Sequence, residues 1–321
     1  MLNVDIDGHR MQIGQRFAVS FQRTLRIPDD GHTYPLPPGL GSFPLRKVED
    51  YRDRVPQHWL QQGGVFIPMY QREALWLSFS AASWKPNAVK IAIGGINAIT
   101  GEPDDNQLRA DPQNYIVCPN QPWLDGIHTG QNSIRQFVAM PLGQGYTVEA
   151  SLTGTEALGG IQIVVFEPKP GKFPDKPPPV DDNVLRRARS LFSPAGFQSM
   201  GVGAGGVIQQ KIYPDPYGLD TWDEDNYGRI FIHILNSLQF QALTGQEPPP
   251  TPIAANTYTE YGLPWFALYD ETKVGLAASD PLNQAKTISE RDTETAHSAE
   301  DTPSFAVPES QIKLLDLENP H

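Results

Sequence analysis

Cysteine is almost absent from this chain of 321 residues: Cys118 stands alone. That excludes an internal disulfide framework and any zinc or iron–sulfur site built on thiolates. Long apolar runs are missing too, and none approaches the roughly 18 residues that would read as a membrane-spanning helix. The start, Met1–Gly14, lacks a cationic region followed by an apolar stretch, so no secretory signal is visible and a cytoplasmic location is the default expectation. Basic charge is scarce, with a net charge of −12, which argues against non-specific nucleic-acid binding. About half of that charge lies in Ser279–His321, where nine acids against three bases give −6. The motif inventory is equally thin. There is no G-x-S-x-G elbow, P-loop or kinase signature, and the seven histidines show neither H-x-H nor H-E-x-x-H spacing.

Proline and glycine are plentiful, at 31 and 28 residues, as expected where short strands meet at tight turns. Apolar residues alternate with polar ones in several segments. Phe17, Val19, Phe21, Leu25 and Ile27 share one face, interrupted by Arg23. The same period recurs at Leu75–Phe79, Val89–Ile93, Tyr146–Leu152, Ile161–Val165 and Ile230–Ile234. Period 2 means strands with one face buried, an antiparallel habit. With glycines at 143–145 and 154–160, Ile134–Glu167 reads as a three-stranded meander. The expected fold is all-β, an antiparallel β-sandwich or jelly roll with two or three short peripheral helices. Those helices are expected at Pro56–Gln62, Asp182–Phe192 and Asn236–Thr244.

Composition divides the chain into a β-sandwich region at 1–167 and a proline-rich linker or surface loop at 168–182. A second β-rich region follows at 183–278, either separate from or continuous with the first. An acidic tail, 279–321, reads as largely disordered, because it offers too few apolar groups to offset ordering entropy. Within it, Gln311–Leu317 regains apolar spacing and could dock. A second proline strip lies at Glu247–Pro252.

The segment richest in chemistry is Tyr213–Leu235, which crowds Asp215, Asp220, Asp223, Glu224, Asp225 and Asn226 before an apolar run. Crowded carboxylates need a cation, basic partners or water. Asp220, Asp223 and Asp225 are therefore the candidate ligands for a calcium ion, although their order does not match a helix–loop–helix calcium site. The competing reading is a solvated turn. Trp123, Asp125, Trp222 and Trp265 sit in turn contexts where an exposed indole beside an acid could stack on a sugar. The competing reading is that these rings plug the core. The literal G-x-G-x-x-G at Gly201–Gly206 lacks the strand before and helix after that a dinucleotide needs, so it reads as a flexible loop. Carboxylates near aromatics, such as Glu73, Asp125 and Glu149, leave glycoside hydrolysis open without pointing to it.

Two functions from different classes follow. The first is a non-enzymatic structural or binding protein whose sheet surfaces and proline strips engage a protein partner or further copies of the chain, with no cofactor. The alternative is a carbohydrate-binding or glycan-active β-protein, with calcium as its ion.

Overall fold

A computed structural model describes residues 1–176, 199–268, 273–295 and 303–315. Strands account for 39 % and helices for 17 %, so the expected excess of strand holds. The main strands are β1 (Val4–Asp7), β2 (Arg10–Ile13), β3 (Phe17–Thr24), β4 (Val65–Met69), β5 (Ala74–Ser80), β6 (Asn87–Ile93) and β7 (Ile116–Cys118). They continue with β8 (Ser133–Pro141), β9 (Ile161–Pro168), β10 (Ser199–Gln209) and β11 (Trp222–Asn236).

Hydrogen bonding orders them as two layers. One runs β2–β3–β5–β8–β10. The other runs β7–β6–β9–β11–β4, antiparallel except for β11 against β4. The layers join where Ser199 and Met200 pair with Leu235 and Ile234. The apolar residues that alternate in the sequence fill one core between them: Phe17, Phe21, Leu77, Ile91, Ile163 and Ile232 are all fully buried in it. An antiparallel sandwich-like fold is thus built by side chains that the pleat sends to one face. The outer faces are covered as well. Helices α1 (Gln57–Gln62) and α3 (Ser237–Thr244) enclose a cluster of Trp59, Phe66, Leu235 and Phe240. The prolines and glycines act locally here. Asn236 caps α3 through its side chain, and Gly245 ends it at φ 74°, a left-handed position that suits glycine.

Three expectations are corrected. Tyr146–Leu152 is no strand, for α2 (Val148–Thr153) occupies it. The Thr147 hydroxyl accepts from the Ala150 amide at 3.0 Å, and Gly154 closes the turn at φ 74°. Six residues are too few to separate a period of 2 from one of 3.6. There is accordingly no meander over Ile134–Glu167, because β8 and β9 belong to different layers. Gly201–Gly206 is no flexible loop but the middle of β10. A Cβ at Gly206 would lie 2.1 Å from the Pro28 carbonyl oxygen, and one at Gly203 2.9 Å from that of Tyr146. The glycines permit close backbone approach inside a packed strand.

The third correction is the tail, whose beginning is docked. Before it comes α4 (Ala255–Glu260), and within it lie α5 (Asp280–Gln284) and α6 (Ile288–Glu294). Leu282 and Ile288 are fully buried, and Asp292 is 2 % exposed. Thr287 and Glu290 form a reciprocal cap at the start of α6, and Arg72 pairs with Asp292 at 2.6 Å. Few apolar groups suffice when each one lands in a prepared pocket. Ile312–Leu315 forms a strand parallel to Trp265–Leu268. The helix expected at Asp182–Phe192 and the end of the proline segment lie outside the described residues.

Candidate functional site

The acidic segment does not gather its carboxylates. Asp215 accepts from the Tyr115 hydroxyl at 2.7 Å and from Trp222 Nε1 at 2.8 Å. Asp220 accepts from Lys172 at 2.6 Å and Lys169 at 3.0 Å. These hydrogen bonds, Lys172 first, hold its carboxyl down at about 2. Glu224 accepts from the Leu108 amide at 3.0 Å, while Asp223 accepts from the Asp225 amide at 3.1 Å. Asp220 is thus turned to two lysines, whereas Asp223 and Asp225 lie on β11 itself. Among the described residues no group of three or more His, Cys, Asp or Glu could hold a metal ion.

The candidate sugar platform is also dispersed. Trp222 and Trp265 are 1 % and 0 % exposed, so neither ring offers a face to a ligand. Trp265 donates through Nε1 to the Thr259 hydroxyl at 3.0 Å. Both indoles plug the fold, as polar-tipped aromatics do when their N–H finds a partner. Trp123 is half-buried, and Asp125 beside it is buried. The Asp125 Oδ2 accepts from Gln210 Nε2 at 2.8 Å, and burial pushes its carboxyl up to about 7. Glu73 likewise sits near 7 through burial, against the Arg23 guanidinium at 3.4 Å. Glu149 is spent on structure, accepting from the amides of Ala157, Leu158 and Gly159. The Cys118 thiol is buried and donates to the Gln121 carbonyl, and burial raises its pKa, which suppresses the thiolate.

The geometry that does invite a ligand is an open cleft of about 860 Å³ that none of these residues lines. One wall is β1, through Val4 and Ile6. The other is the turn and helix at 47–62, through Lys47, Glu49, Arg52, Asp53, Gln57 and Leu60. Gly63, Gly64 and the Arg229–Phe231 stretch of β11 form the floor.

Behind the floor, His233 is stacked between two rings. Its centroid lies 4.2 Å from that of Trp59 and 4.4 Å from that of Phe231, each at 21°. Burial lowers its pKa to about 4, so at neutral pH the imidazole is uncharged. Nε2 carries the hydrogen, because its partner at 3.0 Å is the Gly63 carbonyl, which can only accept. The floor is therefore rigid, fixed by a three-ring stack and one bond to the glycine pair that ends α1. Gly64, at φ 86°, touches β11 so closely that a Cβ would fall 2.0 Å from the Phe231 carbonyl oxygen. On the rim, Glu49 holds Arg52 at 2.6 Å. Lys47 and Arg229 have no ion-pair partner among the described residues.

Sequence reasoning missed this cleft. Gly63–Gly64 was legible as a helix end, but nothing in the local pattern brings residues 4–6, 47–64 and 229–231 together.

No family model, no curated protein and no solved structure matches the chain. Among the described residues, no helix is long and apolar enough to cross a membrane.

Proposed function

We propose that the chain is a non-enzymatic binding protein that engages a protein partner at the cleft between β1, α1 and β11. The observation that carries this reading is the cleft itself: an open volume of about 860 Å³ floored by backbone and a locked aromatic stack. Its rim mixes Lys47, Arg52 and Arg229 with Glu49 and Asp53. A mixed polar rim around a preformed concavity suits a peptide or a protein loop better than a small apolar ligand. The carboxyls with raised pKa, Glu73 and Asp125, serve internal bonds away from it. The proline strip at Glu247–Pro252, which invited a partner in the sequence, is fastened instead. The buried Arg23 guanidinium donates to the Pro250 carbonyl.

The test sets peptide against glycan. The full chain is screened with a displayed library of random peptides and with a glycan array, the latter in calcium and in chelator. Peptide binders with no glycan signal are the expected result. Calcium-dependent glycan binding with no peptide selected would overturn the proposal.

A further inference from the structure

Resting on that reading, we infer that the cleft takes an extended acidic segment of the partner, paired main chain to main chain with the exposed edge of β11 at Arg229. The direction of the β11 backbone is fixed at both ends of the cleft. The Tyr227 carbonyl accepts from the Leu2 amide at 2.9 Å on the side away from β9. The Phe231 carbonyl meets Gly64 on the same side. Backbone groups alternate along a strand, so Arg229, midway between them, turns its N–H and C=O to that side as well. No strand lies there among the described residues. Pairing with β4 begins only at Ile232 opposite Val65, and β1 pairs with β2.

The sheet thus has a notch, with Leu2 at one end and Gly64 at the other, in which a strand edge is left open. Exposed edges are templates for an added strand. Charge selects the occupant. Arg52 is held by Glu49. That leaves the Lys47 ammonium and the Arg229 guanidinium against the single acid Asp53, so carboxylates on alternate residues of the incoming strand are favoured.

Peptides selected on the full chain are synthesised and their affinities measured by fluorescence anisotropy. The expected sequences carry Asp or Glu at alternating positions. Lys47→Glu together with Arg229→Glu should weaken them by at least about tenfold with the melting temperature unchanged, since both side chains are exposed. Backbone N-methylation should cost a similar factor at alternate peptide residues and little at those between, which a contact made by side chains alone would not produce. Binding left intact by the double variant, or indifferent to every N-methyl position, overturns the strand pairing while the binding function stands. A library that yields no binder removes that function and the pairing with it.

Discussion

Asp125 shows how much one buried carboxyl can shape behaviour. Burial lifts its pKa to about 7, against about 3.9 in an unfolded chain. The folded state therefore holds this proton more tightly. The resulting stabilisation is complete below about pH 4 and is lost as pH rises through 7. Asp125→Asn removes the titration and keeps an oxygen to accept from Gln210. The expected outcome is a melting temperature raised by several degrees at pH 8, with little change at pH 4, read by thermal denaturation across pH. An unchanged difference between the two pH values would show that Asp125 is not the titrating group. His233 works in the opposite direction. Its pKa is lowered by burial to about 4, so its contribution is present above about 6.5 and is lost as pH falls through 4. The two slopes are separable, because only the second depends on the Trp59–His233–Phe231 stack.

At the scale of elements, backbone constraints decide what alternation alone cannot. Thr147→Ala should cost about 0.5–2 kcal/mol by leaving the first turn of α2 uncapped. Gly206→Ala should cost about 1–3 kcal/mol or more, because its methyl would meet the Pro28 carbonyl. Chemical denaturation of both variants checks these values. A harmless Gly206→Ala would mean that β10 does not pack against Pro28 as described. These same elements mark the limit of sequence reading. The strands β3, β5, β6, β9 and β11 were legible because each sends every second residue, an apolar one, into the shared core. The Tyr146–Leu152 segment carried the same signal over a stretch short enough for a capped helix to satisfy. The Gly201–Gly206 run hid a strand, since its reason for lacking side chains lies in Pro28 and Tyr146, far away in sequence. The cleft was illegible for that reason too. Its floor and walls come from three distant segments, and its two cations without an ion-pair partner among the described residues, Lys47 and Arg229, belong to no motif.

At the scale of the molecule, the tail is part of the cooperative fold up to α6. Ile288 is fully buried against Val138, Met140, Ala74 and Tyr146, and Tyr146 also donates to Asp292 at 2.8 Å. Ile288→Ala should therefore destabilise the whole chain by about 2–5 kcal/mol. Limited proteolysis should leave Asp280–Glu294 with the body. Early loss of that segment would show that α5 and α6 are not docked in solution. Calcium provides the last whole-molecule test, because a ligand that binds only the folded chain must raise its melting temperature. A site on Asp220, Asp223 and Asp225 would have to displace Lys169 and Lys172 from Asp220 and bend β11 to bring the other two carboxylates round. The expected result is that calcium changes the melting temperature no more than magnesium does at equal ionic strength, since screening treats the two ions alike. A calcium-specific rise, reversed by chelator and abolished by Asp223→Ala with Asp225→Ala, would show instead that these carboxylates converge when the ion is present. It would also restore the calcium-dependent glycan reading as a competitor to the cleft.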